Sequence, residues 1–435
     1  MMEAAEEGVR GDRGRLDHVI EGDMNRNCIG RMGRRTFLRL AGSVAGAWLA
    51  GSGASARHLL LVDATDAERI SRVEWIVYDT GLRGPQDASQ ARCAVRITTT
   101  HGAQGWADVG DWAAPADDDT AQGISDALLG RSLAEHDNLW RQLYEQGLPL
   151  ATLGAVDTAL WDLRGRIAGK PVHALLGTAR SAAEARVSTG FNLGEPSAYA
   201  EFAVACRDKG IQAIRIQPYV TYDDATGRAT AFPDRDMAVF SAVREAAGPD
   251  YTCMADHEGA YTYDQALRVG RLLDDLNYTW YGSPMPETDD WLDRYATLAS
   301  ELRTPICAPR SDSDAYQSRL RWIDRRACDV CRIGVHLGGL TACLQLAGAC
   351  REAGIAMDLL GAGPDAYPHL QLIGATDESL IRHFEVASPS NESRTLPGRL
   401  TPEPRFDAEG RILIPQTPGL GLELDWTYIT THRIA

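Results

Sequence analysis

From about residue 186 the chain repeats one unit, a short β-rich apolar run followed by an amphipathic stretch. Strand candidates fall at 186–191, 212–217, 251–256, 278–281, 305–308, 328–333, 355–360 and 381–386. Helical periodicity separates them, clearest at 197–209, 262–275, 291–302 and 338–353. From the third run on, the strand ends recur roughly every 25 residues, the length of one β/α unit. Eight strands in regular alternation favour a closed parallel barrel over a doubly wound sheet. No Gly-x-Gly-x-x-Gly follows the first strand, which weakens a nucleotide-binding reading. Chemistry in such a barrel gathers at the C-terminal strand ends. The residues there are Arg215, Gln217, Asp256, Gly282, Arg310, Arg332, Gly334, Leu360 and Glu385.

Upstream, 72–78, 91–100 and 106–111 alternate as strands, and helical patterns follow near 118–129 and 135–146. Strands followed by helices predict a small α+β domain. The expected division is a leader at 1–56, an α+β capping domain at 70–150, a barrel at 151–390 and a tail at 391–435 that packs back on the cap. In the leader, Gly33-Arg34-Arg35-Thr36-Phe37-Leu38-Arg39 precedes a Gly/Ala-rich apolar run ending Ala54-Ser55-Ala56. That order resembles a twin-arginine export signal, so an exported, periplasmic location is expected, with an uncleaved membrane anchor as the alternative. Met24 or Met32 is an alternative start, because the segment before the arginines is long.

The 435 residues carry a net charge of −16 and no long basic run, which argues against nucleic acid and anionic membranes as partners. Lys170 and Lys209 are the only lysines, and neither lies at a strand end. Cys328 and Cys331 form a lone Cys-x-x-Cys without a second pair at zinc spacing. On a strand, residues three apart point to opposite faces, so buried thiols are expected there.

The run Gly154-Ala-Val-Asp157-Thr-Ala-Leu-Trp161-Asp162-Leu-Arg-Gly165, then Gly169-Lys170-Pro171 and Leu176-Gly177, reads as one helix with Gly and Pro at its end. With Asp256-His-Glu-Gly, Trp280-Tyr-Gly-Ser-Pro-Met-Pro-Glu287, Gly338-Gly339-Leu-Thr341 and Pro418-Gly-Leu-Gly421, it resembles the enolase superfamily, in the branch of mandelate racemase and the acid-sugar dehydratases. The resemblance runs from about residue 72 to the end. It implies an α/β fold in which an α+β capping domain precedes a modified TIM-type (β/α)7β barrel. The cap loop expected to close over the mouth is Gly81 to Gln90. The implied reaction removes a proton α to a carboxylate while Mg2+, held by three carboxylates, stabilises the enediolate.

Residue by residue, Asp256 matches the first of those ligands, Gly282 takes the place of the second and Arg310 that of the third. The charge of the trio changes from −3 to 0. A guanidinium beside the ion would repel it by about several kcal/mol. The second strand, Lys-x-Lys or Lys-x-His in the family, ends Arg215-Ile216-Gln217, and neither arginine nor glutamine is a good base. Gly334 replaces the sixth strand's acid and Leu360 the seventh strand's histidine, while Glu385 matches a frequent family acid or forms a salt bridge at the rim. Glu258 lies two residues past Asp256 and is a further metal candidate, and Glu287, Asp289, Asp312 and Asp314 are loop acids that offer a displaced site. His257 and His336 are candidate bases beside strand ends, with His369 a weaker one.

Arg215, Arg310 and Arg332, with Gln217, suit a carboxylate or phosphate ligand, which guanidinium grips bidentately. Arg310 is expected to pair with Asp256, either as an anion site that does part of the metal's work or as an internal salt bridge filling a dead site. The sequence reading is therefore a divergent family member, with magnesium-dependent proton abstraction lost or altered, that binds a carboxylate or sugar acid. The alternative is an active lyase or isomerase with a rebuilt metal site. The expected partners are a small anionic molecule and further copies of the chain in a homo-oligomer.

Overall fold

The computed structural model describes residues 68–83, 89–110, 113–223, 225–310, 315–360, 366–386, 396–401 and 404–434. The export leader, the anchor alternative, Asp312 and Asp314 all lie outside them. Among the described residues no helix is long and apolar enough to cross a membrane.

Alternating apolar residues build an antiparallel meander of β1 (Ile70–Arg83), β2 (Ser89–Thr99) and β3 (Gln104–Gly110). Helices α1 (Asp118–Leu128) and α2 (His136–Glu145) follow. Asp117 caps α1, its side chain accepting the Thr120 N–H. Residues 81–83 and 89–90 of the expected cap loop are strand, and its tip at 84–88 lies outside the described residues.

The expected single helix over 154–177 is two, α3 (Leu150–Ile167) and α4 (Val172–Leu176). Gly169, in the left-handed region at φ 62°, and Pro171, ahead of α4, break it. Helix α3 is buried nearly all round because it is the joint between the two domains. Asp162 accepts the backbone N–H groups of Trp106 on β3 (3.0 Å) and Leu420 in the tail (2.8 Å). Asp157 accepts from His136 of α2 at 2.8 Å and from the Thr341 N–H at 2.9 Å. Gly154 has no room for a side chain, since a Cβ there would lie 2.6 Å from the Val335 carbonyl oxygen.

The barrel strands are β4 (Ala182–Ser188), β5 (Ala213–Ile216), β8 (Thr252–Asp256), β9 (Tyr281–Gly282), β10 (Ile306–Ala308), β11 (Val330–Ile333), β12 (Ala356–Leu359) and β13 (His383–Val386). A short hairpin after β5, β6 (Val220–Tyr222) with β7 (Ala229–Ala231), has no counterpart in the sequence pattern. The eight barrel strands run parallel in the order β12-β11-β10-β9-β8-β5-β4-β13, nearly closed. At the seam between β12 and β13, the Met357 N–H reaches the Leu380 carbonyl at 2.6 Å. The outer layer includes α5 (Pro196–Asp208), α6 (Pro233–Ala247), α7 (Tyr263–Asp275), α8 (Leu292–Glu301), α9 (Ala315–Asp324), α10 (Gly339–Ala353) and α11 (Ala366–Gly374). Of these, α6 and α9 lie between expected strands without a helix range of their own in the sequence pattern.

The tail returns to both domains. Strand β14 (Ile412–Leu413) pairs antiparallel with β4, and α12 (Trp426–Thr431) packs on β1, where Tyr428 donates to the Thr80 carbonyl. Buried Asp108 on β3 holds Arg92 at 2.7 Å and the tail's Arg399 at 2.5 Å. Cys328 lies ahead of β11, so strand alternation does not separate it from Cys331. Both are buried.

Candidate functional site

Along each barrel strand, alternate residues face the axis. Ala213, Met254, Trp280, Cys307 and Val330 make an apolar floor inside the barrel. The next inward positions should carry the site, and several of them are charged. Arg186 of β4 pairs with Asp358 of β12 and, at 3.0 Å, with Glu385 of β13. Glu385 holds Arg215 of β5 at 2.6 Å, and Arg215 lies 3.4 Å from Asp256 of β8. Asp256 holds Arg332 of β11 at 2.9 Å, and Arg332 returns to Asp358 at 3.1 Å. Three guanidiniums and three carboxylates thus alternate in a closed ring across six strands, with formal charges that cancel. All six side chains are buried. The guanidiniums of Arg186 and Arg332 stand 5.7 and 5.0 Å from the Trp280 ring below.

Buried charges are tolerated only when paired and hydrogen-bonded. The ring pairs every one of its charges, while Arg186 Nε, Asp256 Oδ2 and Arg332 Nη2 make no hydrogen bond among the described residues. Burial alone would raise the Asp256 carboxyl, but Arg332, Arg215 and Arg310 together hold it well below the ordinary carboxylate range. Burial likewise opposes ionisation of Asp358 and Glu385, and the flanking arginines again bring both below their ordinary values. Lowered carboxylates bind fewer protons folded than unfolded. Their stabilisation is therefore whole above about pH 4 and is lost only as pH falls through the lowered folded values. Arg215→Met removes a partner from both Asp256 and Glu385. It is expected to move the acid-unfolding midpoint to higher pH, followed by far-UV circular dichroism. An unchanged midpoint would show that Arg215 does not hold these carboxylates ionised.

Asp256, Arg215, Arg332 and Glu385 are brought together, but the expected Arg310–Asp256 pair does not form. Arg332 reaches Asp256 from across the barrel, and the Arg310 guanidinium pairs instead with Glu258. The Arg310 N–H donates to Glu287 at 2.7 Å. Glu258, a metal candidate in the sequence, is thus engaged by a cation of the chain itself. Gln217 is buried beside the ring, its backbone N–H donating to Thr189 Oγ1 at 2.9 Å. Next to inward-facing Asp256, His257 faces the helix layer. It stacks on Tyr261 at 3.9 Å and lies 3.6 Å from Asp236 of α6, so it does not reach the barrel axis. The His336 ring lies over Gly334, where a Cβ would sit 2.6 Å from Nδ1, and His336 lines a crevice between cap and barrel with Gly154, Val335 and Leu422. His369 Nε2 accepts the Val335 N–H at 3.0 Å, a structural bond.

Arg186 and Asp358 are ring members that the strand-end search missed, because they sit inside their strands. Their signal was present as single charges within apolar runs, Ala-Arg-Val and Met-Asp-Leu. Gly282 has its reason in the ring. A Cβ there would fall inside the contact distance of Asp256 Oδ1 and lie 2.9 Å from both Arg332 Nη2 and Trp280 Cζ3. The space of the second ligand's side chain is taken by the Asp256–Arg332 pair. Among the described residues no group of three or more His, Cys, Asp or Glu side chains is placed to share a metal ion.

An α+β cap joined to a parallel barrel, with its charged residues at the C-terminal strand ends, defines a capped β/α-barrel protein. The chain belongs to the enolase superfamily, in its mandelate racemase and muconate lactonizing enzyme branch. Residues 198–428 match the enolase C-terminal domain-like family, and residues 86–177 match the mandelate racemase / muconate lactonizing enzyme N-terminal domain. The chain is 26% identical to the arabinonate dehydratase of Saccharolobus solfataricus over 78% of its own length and 90% of the relative's. It is also 26% identical to the D-galactarolactone cycloisomerase of Agrobacterium fabrum, over 79% and 92% of the two chains. The magnesium-complexed D-glucarate dehydratase of Agrobacterium tumefaciens superposes with a TM-score of 0.72 at 26% identity, covering 84% of this chain and 99% of that one.

Proposed function

We propose that this chain is a family member that has given up magnesium-assisted α-proton abstraction and uses its barrel mouth to bind a small carboxylate of the sugar-acid class. The ring is the observation that carries the reading. Magnesium does not suit these residues. Asp256 is already neutralised by Arg332 and Arg215, position 282 has no side chain and no space for one, and position 310 is a cation. Of the strand-end candidates, Arg215 is paired within the ring and His257 faces away, so neither is poised as a base. Arg310 supports the binding half of the reading. Its guanidinium stands at the mouth with Glu258 on one side and the Phe191 ring 5.6 Å away. The dehydratase and cycloisomerase relatives act on sugar acids or their lactones, the ligand chemistry a guanidinium grips.

Metal analysis of purified protein with D-glucarate calorimetry, run in magnesium and in EDTA, tests this. Magnesium well below one equivalent and glucarate binding that EDTA leaves unchanged are expected. Stoichiometric magnesium, or magnesium-dependent consumption of an acid sugar, would overturn the reading.

A further inference from the structure

Three of the inward guanidiniums, those of Arg186, Arg215 and Arg332, are spent on the ring, each between two carboxylates. Arg310 differs. Its side chain and that of Glu258 are 21% and 20% exposed, whereas the ring is sealed. Its backbone is fixed, because the N–H is tied to Glu287, so the guanidinium is the part free to change partners. Among the described residues Glu258 is the one side chain that accepts a hydrogen bond from that guanidinium, through Nη1 alone. A guanidinium carries five donors in a planar fork. One edge is therefore occupied by a carboxylate of the chain, and among the described residues no other side chain accepts from the rest of the fork.

Residues from neighbouring strand ends frame the fork. Phe191 follows β4, Tyr222 lies on the β6–β7 hairpin and is close enough for its hydroxyl to feel the Arg310 charge, and Glu258 follows β8. Glu258 reaches this position because it lies two residues beyond Asp256, on the same inward series.

We propose that Glu258 is a built-in stand-in for the ligand's carboxylate. It occupies Arg310 in the free protein and yields that guanidinium to a small organic acid. This rests on the carboxylate-binding reading above and adds to it the residue that sets affinity. The exchange is of like for like, one carboxylate leaving a guanidinium as another arrives. Its cost is the bond to Glu258 and the repulsion between the displaced carboxylate and the incoming one. Weak binding by the wild type follows, along with a simple way to strengthen it.

The test is D-glucarate calorimetry on wild type, Glu258→Gln, Arg310→Met and Arg310→Lys, with thermal unfolding to establish that each variant is folded. Glu258→Gln is expected to tighten binding by about tenfold, the scale of one charge-assisted hydrogen bond set free. Arg310→Met should abolish binding. Arg310→Lys, a charge without a fork, should retain only part of it. If wild type and Arg310→Lys bind but Glu258→Gln binds no more tightly than wild type, the stand-in role is overturned and carboxylate binding survives. If no variant binds glucarate, both readings fall together.

Discussion

Arg332→Met is expected to lose about 3–5 kcal/mol of folding stability, the cost of stranding buried charge. The size follows from the geometry. Arg332 is fully buried and is shared by Asp256 and Asp358, so its removal leaves two carboxylates in the barrel interior with one guanidinium each. Methionine keeps the apolar stem over Trp280, so the loss reports charge rather than a cavity. Urea unfolding monitored by circular dichroism gives the number. A loss below about 1 kcal/mol, the range of exposed ion pairs, would mean that the ring relaxes or takes up water. Adding Asp358→Asn should recover much of the loss, because one carboxylate then goes with the one arginine and the remaining Arg186, Arg215, Asp256 and Glu385 stay balanced, and a double-mutant cycle over the two sites measures the coupling.

Gly282→Glu is the second large effect, and it opposes the simple idea that two substitutions could restore a metal site. The first carbon added at 282 overlaps Asp256 Oδ1 and crowds Arg332. Overpacking of this kind costs about 1–3 kcal/mol before any charge is considered. The new carboxylate then adds an uncompensated negative charge to a neutral ring. Gly282→Glu with Arg310→Glu is accordingly expected to be poorly folded and to gain no stabilisation from magnesium. Gly282→Ala separates the two contributions, since it adds the clash without the charge. A well-folded double variant that binds magnesium would show that Arg332 can swing clear of the space it now fills.

Much of this barrel could be read in the sequence. The eight strand positions, and the helices at 196–208, 263–275, 292–301 and 339–353, lie within a few residues of those expected from periodicity. The hairpin after β5 was not legible, and the helix over 233–247 had no clear bounds. The hairpin's strands are three residues each, too short for a period, and the helix follows with buried Asp236 and Arg244 on its inner face, which blurs the apolar stripe. At the site, strand ends were legible and depth was not. Asp256, Arg215, Arg332 and Glu385 were all singled out, but the partner of each depends on which residues meet across the axis. The sequence placed Arg310 opposite Asp256. In the fold Arg332 comes from β11, the strand after the one that precedes Arg310, and takes Asp256, leaving Arg310 to Glu258.

Ring closure also bears on what the protein needs from its surroundings. A barrel that balances its inner carboxylates with a dissolved ion is only as well assembled as the supply of that ion, and a chelator can loosen it. Here Arg186, Arg215 and Arg332 are counter-ions joined to the backbone, at an effective concentration no scavenger can lower. They bridge the β12–β13 seam as well, since Arg186 grips one acid from each side of it. The charge balance of this barrel is inherited with the chain and does not have to be collected from solution.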